Sequence, residues 1–476
     1  MKNNSFNKNS NEIISERTND MNNFNSDNNN FKNSGSERKN NMNNNYNTSR
    51  ILADNYYISN NTRETHLNNN DLIVGPSGAG KTGGYVIPNI LQLNTSMIVA
   101  DTKNNLSKML SPVLTANGFQ TYTIDFVKPE NSSAYNPLEY IRRNERTGKY
   151  REQDIISLSS VLVKEYSEDA FWTDSAKSVI ACLIGFVLEA FPHEEQNLST
   201  VTEVYNVMIN QLKRNKNTVP FLDEWEVRHP GGFVARQYAL FKSVLGVDRT
   251  WGCITQFVTN ALAPFQYEEA RVMFGKAVEF RMEDLGRQKT VVFLNVSDND
   301  RAFDDLVNMF YTQALQALIA EADNNENSAL KVPVRIILDD FATNAYIPNF
   351  DKTISVIRSR EISVSIILQS LSQLNTLYSD PASKTIINNC DHILYLGGSD
   401  LETTYYIANR VSKNSETILN MPLDKVWLLE RGKRGMFLDR IKPYSITPQT
   451  VRPKSAARSG KSPKTAAEKK PGKTLG

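Results

Sequence analysis

The sequence predicts a parallel α/β fold, interrupted by a helical segment and flanked by two disordered tails. Three observations predict it. An apolar run, Leu72-Ile73-Val74, leads directly into GPSGAGKT at residues 75–82 and then into a helical stretch. Short β-rich runs recur on both sides of the middle of the chain, in the strand–helix–strand rhythm of a parallel sheet. Between them, residues 146–285 carry few strand signals and show i, i+3, i+4 apolar spacing.

GPSGAGKT matches G-x-x-x-x-G-K-[ST], the phosphate-binding loop of P-loop NTPases, and it stands in the strand–loop–helix context that the motif needs. Gly75, Pro76, Ser77, Gly78, Ala79 and Gly80 are expected to form the loop around the phosphates of ATP, the glycines letting its backbone N–H groups curl toward them. Lys81 is expected to reach the β- and γ-phosphates, and Thr82 to hold Mg²⁺. The helix should start at Gly80 and be kinked or ended by Pro88.

A chain of 476 residues has room for two domains and tails. Residues 1–50 contain 19 Asn and few apolar side chains, so they cannot bury enough surface to offset the entropy of ordering. Residues 449–476 read as a disordered basic tail. Eight Lys/Arg stand against one Glu in residues 450–476, while the whole chain is only +2, so the remainder is net −5. Cys182, Cys253 and Cys390 are too widely spaced for a zinc site or a disulfide framework and fit a reducing cytosol. Four scattered histidines argue against a His-based metal centre. The longest apolar run, residues 179–188, is ten residues long, about half of a membrane span.

Taken in order, residues 51–145 hold the P-loop unit, a second strand in SMIVAD (96–101) and a third in TYTID (121–125). Asp101 and Lys103 lie just past a strand end, where open α/β sheets place ligands. In the helical insert, residues 146–285, the pair Phe171-Trp172 fits a core position better than a ligand contact. Residues 286–448 return to α/β, with strands in 290–296, 334–340, 364–369 and 392–397 and an edge strand or hairpin in GMFLDRIKPY (435–444).

Ile336-Ile337-Leu338-Asp339-Asp340 is an apolar strand ending in two carboxylates, the Walker B pattern. Asp339 is assigned to Mg²⁺ and Asp340 to the attacking water. The next strand ends in Gln369, a polar group placed to contact the γ-phosphate and that water. The order P-loop, Walker B, polar strand end suits the additional-strand ATPases rather than small-molecule kinases. Arg360, in IRSRE (357–361), reads by residue type alone as a solvated helix-end arginine.

Together these residues resemble the type IV secretion coupling proteins, the TraG-like ATPases of conjugation, and the branch found in Gram-positive elements most of all. The resemblance runs from about residue 51 to 444. It is carried by RETHLNNNDLIVGPSGAGKT, NTSMIVADTKNNL, AYNPLEYI, FWTDSAKSVI, LGRQKTVVFLNVSDND, ILDDFATNAYIPNFDKTISVIRSREISVSIILQSLSQL and INNCDHILYLGG. It implies a RecA-like nucleotide-binding domain, residues 51–145 and 286–448, split by an all-α domain. It implies a homo-hexamer that hydrolyses ATP to move DNA, with a relaxase or relaxosome proteins, toward the type IV secretion channel. Lys81 and Thr82 match the P-loop pair, Asp339 and Asp340 the Walker B acids, Gln369 the glutamine that follows, and Arg360 falls where an arginine finger is expected.

Two departures stand out. The second Walker B acid is Asp340 where the family usually has Glu, and DTKN (101–104) replaces a DPKG-like segment. An Asn-rich stretch also stands where family members usually carry transmembrane helices, so the expectation is a cytoplasmic protein that is either a soluble paralogue or is brought to the membrane face by partners, with its membrane anchor on a separate chain. The competing expectation is a soluble P-loop ATPase that selects or remodels protein substrates without gripping DNA. A nucleotide-dependent scaffold with little hydrolysis is a third.

Overall fold

The computed structural model describes residues 48–163, 170–274, 278–297, 303–341 and 346–448. The tail expectations for residues 1–47 and 449–476 lie outside them. The first tail was set too long: Ser49 and Arg50 are buried in β1 (Ser49–Ala53), which forms an antiparallel hairpin with β2 (Tyr56–Ser59).

Among the described residues, nine strands form one sheet. They are β3 (Asp71–Val74), β4 (Ser96–Ala100), β5 (Gln120–Asp125), β6 (Thr290–Asn295), β7 (Val334–Leu338), β8 (Ile362–Leu368), β9 (His392–Tyr395), β10 (Lys425–Glu430) and β11 (Met436–Asp439), ordered β11-β10-β9-β3-β8-β7-β4-β6-β5. From β9 to β5 all neighbours are parallel; β10 and β11 add antiparallel strands at one edge. Sequence reading found every parallel strand and the edge strand at 435–444 but missed β10, whose apolar centre is bracketed by Lys425 and Glu430.

Strand alternation divides the core between two faces. Leu72, Val74, Ile98, Ile336, Leu338, Val364 and Ile366 join the core that continues into the helices between Glu152 and Arg287. Ile73, Met97, Val99, Val291, Phe293, Ile337 and Ile367 face the P-loop helix and the helix Leu106–Ala116. The helical segment therefore shares one apolar core with a face of the sheet. Its longest helix, Ala170–Ala190, is long and apolar enough to cross a membrane, yet Val179, Ile180, Leu183, Ile184 and Val187 are fully buried within the protein. At about 1.5–3 kcal/mol for each such side chain, that burial ties the helix to the core. Within it Phe171 is exposed and Trp172 half-buried, the two rings meeting edge to face.

Register brings the functional loops together. Val74 pairs with Leu368 on one side and Tyr395 on the other, so the loops after β3, β8 and β9 leave the sheet side by side. β7 ends two residues earlier, Leu338 pairing with Ile366.

The opposite end of β3 is fixed by a buried charge set. Asp71 accepts from Arg50 Nε (2.9 and 3.0 Å), Arg335 Nη1 (3.2 Å) and the Tyr85 hydroxyl (2.7 Å), and His392 Nδ1 lies 3.4 Å from it. Burial pushes the Asp71 carboxyl up, but Arg50, His392 and Arg335 outweigh it and hold the group well below the usual carboxylate range. The sign follows: this stability is present above the unfolded carboxyl's pKa of about 3.9 and is lost as pH falls below it. Removing one member of a buried ion set costs about 3–5 kcal/mol. Asp71 thus locks the N-terminal hairpin, the P-loop strand and the Walker B strand together at their roots.

Candidate active site

Gly75 begins the loop by donating its N–H to the Leu368 carbonyl at 3.1 Å, which pins the loop to the end of β8. Gly78 (φ 78°) and Gly80 (φ 70°) take the left-handed backbone region that the phosphate cradle requires. Pro76, Ser77 and Gly78 are exposed at the tip, while Ala79 is buried beneath it. Lys81 is 7% exposed, and its Nζ donates to the Gly75 (2.7 Å) and Pro76 (3.1 Å) carbonyls. Burial lowers the pKa of this ammonium, against the pull of Asp340 and Asp339.

The following helix differs from the expected one. Thr82–Val86 is a π-helical turn, and Ile87–Ile90 continues it with Pro88 at its start. Pro88 therefore stands in the first turn of a short segment that ends at Ile90. A wide turn ahead of it absorbs the missing N–H and the ring, as π-bulges at functional sites commonly do.

Thr82 Oγ1 donates to Asp339 Oδ2 at 2.7 Å. This contact joins the two motifs, 257 residues apart, at the C-terminal ends of β3 and β7. Burial pushes the Asp339 carboxyl up to about 6, with Asp340 adding to the rise and Thr82 opposing it. A hydroxyl and a carboxylate so placed fit one Mg²⁺, whose remaining ligands are ordinarily water and phosphate oxygens. Such a site needs no cluster of three acidic, His or Cys side chains, and none occurs among the described residues.

Asp340 takes φ +50°, and its backbone N–H donates to Asp339 Oδ1 at 3.1 Å. Asp is far more at ease in this region than Glu. The left-handed backbone thus gives a local reason for the shorter acid. Gln369 is half-buried at the end of β8, its N–H donating to Gln373 Oε1 at 3.0 Å. Asp101 is buried and accepts from the N–H groups of Asn105, Leu106 and Ser107, so its carboxylate holds the start of the helix Leu106–Ala116. A cavity of about 520 Å³ opens beside these groups, lined in part by Thr82, Lys103, Asp339, Asp340 and Tyr444.

Lys81, Thr82, Asp339, Asp340 and Gln369 are gathered at one end of the sheet; Arg360 is not. It precedes β8, whereas Gln369 follows it, and seven residues of strand span roughly 20 Å. Arg360 forms a two-pronged ion pair with Asp323 (2.8 and 3.2 Å) and donates to the Val356 carbonyl. Arg358 is exposed on the same turn and lines a small cleft with Arg335 and Glu361.

This fold and this site define a RecA-type P-loop nucleotide-binding protein. The chain belongs to the family described as type IV secretory system conjugative DNA transfer, whose model matches residues 24–416. It is similar to the protein VirD4 of Agrobacterium fabrum (strain C58 / ATCC 33970), 23% identical over 346 residues, covering 71% of this chain and 49% of VirD4. It is likewise similar to the conjugal transfer protein TraG of Rhizobium radiobacter, 22% identical over 352 residues, covering 71% of this chain and 51% of TraG. The chain thus spans about half the length of these relatives. In fold it matches the plasmid coupling protein TrwB in complex with ADP and Mg²⁺, with a TM-score of 0.56 and 13% identity over 80% of this chain and 87% of that one.

Proposed function

We propose that this chain is the ATP-hydrolysing coupling protein of a conjugation system, recruiting DNA with its relaxase and driving it toward a type IV secretion channel. The observation that carries the reading is the 2.7 Å contact between Thr82 and Asp339, in a chain whose family is one of conjugative DNA transfer. Residues 75–82 bind the triphosphate, with Lys81 neutralising the β- and γ-phosphates. Thr82 and Asp339 hold Mg²⁺, which screens the phosphate charge. Asp340 orients the attacking water and Gln369 reports on the γ-phosphate.

Residues 51–145 and 286–448 act as the nucleotide-binding domain and 146–285 as an all-α insert. The subunits form a homo-hexamer in the cytoplasm, joined to the membrane face through channel components and a separate anchor protein. In that ring the turn Arg358–Arg360 reaches the next subunit's pocket. Arg360, held by Asp323, sets the turn, and Arg358 presents the cation. The basic tail adds salt-sensitive contact with the DNA backbone.

The test is hydrolysis of Mg·ATP by the purified chain with and without single- and double-stranded DNA. DNA should raise kcat several-fold. Steady hydrolysis indifferent to either DNA would favour an ATPase acting on protein substrates, and no hydrolysis at all would favour a nucleotide-dependent scaffold.

A further inference from the structure

Two glycines follow the P-loop, Gly83 and Gly84, and the phosphate signature does not require them. Glycine inside a helix costs about 1 kcal/mol relative to alanine, so the pair needs a reason. A Cβ on Gly83 would lie 2.9–3.1 Å from carbons of the Tyr444 ring, and one on Gly84 would lie 3.2 Å from the Ile441 carbonyl oxygen. A Cβ on Gly80 would lie 2.4 Å from Pro443 Cγ. Three glycines therefore clear a path for one segment, residues 440–445, which leaves β11 and crosses the first turn after the P-loop.

This strap is anchored at both ends of its crossing. Ile441 is 4% exposed, and the Tyr444 N–H donates to the Gly83 carbonyl at 3.1 Å. Tyr444 itself is unusual. Its φ is +60°, a region that costs an aromatic residue about 1–3 kcal/mol, and the residue remains 60% exposed. Core packing does not account for a strained backbone that holds a ring against a glycine with its other face open. That open face borders the cavity shared by Thr82, Asp339 and Asp340, and among the described residues Tyr444 is the one aromatic residue lining it.

We propose that the exposed ring of Tyr444 is a stacking platform for the base of the nucleotide bound at the P-loop. The inference rests on the reading of residues 75–82 as a nucleotide site. A nucleotide whose β- and γ-phosphates lie on Lys81 carries its ribose and base outward past Thr82, toward Gly83. There the ring meets the base as a flat apolar surface, and stacking of this kind tolerates any base because each has a π-face.

The test is calorimetric titration of the full chain, its Tyr444→Ala variant and its Tyr444→Phe variant with Mg·ATP and, separately, with Mg·tripolyphosphate, which has the phosphates but no base. Wild type should bind ATP more tightly than tripolyphosphate. Tyr444→Ala should weaken ATP binding roughly ten- to a hundredfold, the range of base–aromatic stacking. It should leave tripolyphosphate binding unchanged, and Tyr444→Phe should retain the wild-type affinity for both. Unchanged ATP affinity in Tyr444→Ala overturns the platform, and so does an equal loss for ATP and tripolyphosphate, which would make the ring a prop for the loop. Equal wild-type affinity for the two ligands overturns it as well while leaving the P-loop reading intact. Wild type that binds neither brings down the nucleotide site itself.

Discussion

Replacing Lys81 by alanine should abolish ATP hydrolysis and leave the fold in place. Lys81 is the cation at the centre of the loop, and its ammonium is held 2.7 and 3.1 Å from the carbonyls of Gly75 and Pro76. Held there, the charge is close enough to the cradle to meet the phosphates with little reorganisation. Removing one preorganised donor from a charge-stabilising site costs on the order of 10²–10³-fold in kcat. The structural loss is far smaller, two hydrogen bonds to loop carbonyls at about 1 kcal/mol each. Hydrolysis by the purified variant, with its circular dichroism and thermal midpoint, checks both halves. Wild-type turnover in a folded Lys81→Ala protein would remove residues 75–82 from the chemistry.

The second large effect concerns the Arg358–Arg360 turn. The length of β8 keeps both arginines roughly 20 Å from the catalytic end of their own strand. In the proposed ring they serve a neighbour's pocket. Loss of a finger that stabilises phosphoryl transfer costs on the order of 10³-fold or more. Arg358→Ala should fall by that amount, whereas Arg360→Ala and Asp323→Ala should show matching, smaller losses, because each frees the turn. Mixing inactive Arg358→Ala with inactive Lys81→Ala subunits should restore measurable hydrolysis, since some interfaces pair an intact loop with an intact finger. Labelled subunits establish that exchange has occurred. Absence of rescue despite exchange would rule out a finger acting between subunits. If Arg360→Ala alone gave the full loss, with rescue, the cation would be Arg360 and not its neighbour.

The parts of the fold that sequence made legible are those whose signal is local. Most of the parallel strands, β3, β4, β6, β7 and β8 among them, are buried along their length and read as short apolar-rich runs because both faces of the sheet are covered there. The P-loop and the Asp339-Asp340 pair announce themselves by spacing. Long-range partners were not legible. Arg50 looked like the last residue of a polar tail, since arginine is rarely buried; its reason for burial, Asp71, lies 21 residues on in another strand. The same holds for Arg360, whose fate is set by Asp323 on a separate helix. Pro88 was read as kinking or ending the helix, and the π turn that precedes it has no sequence signature of its own. Tyr444 left one local trace, the paired glycines at 83 and 84, but a close approach can be inferred from glycine only once the approaching segment is known.

In the proposed function, hydrolysis at the Thr82–Asp339 pocket moves DNA. Displacement of a labelled third strand from a DNA triplex measures movement directly, because a protein that only binds the flanking duplex leaves the triplex intact. The full chain with Mg·ATP should displace the third strand at a rate that rises with flanking duplex length and vanishes with Lys81→Ala or a non-hydrolysable ATP analogue. Brisk ATP hydrolysis on the same DNA without displacement, or displacement undiminished in Lys81→Ala, would contradict it.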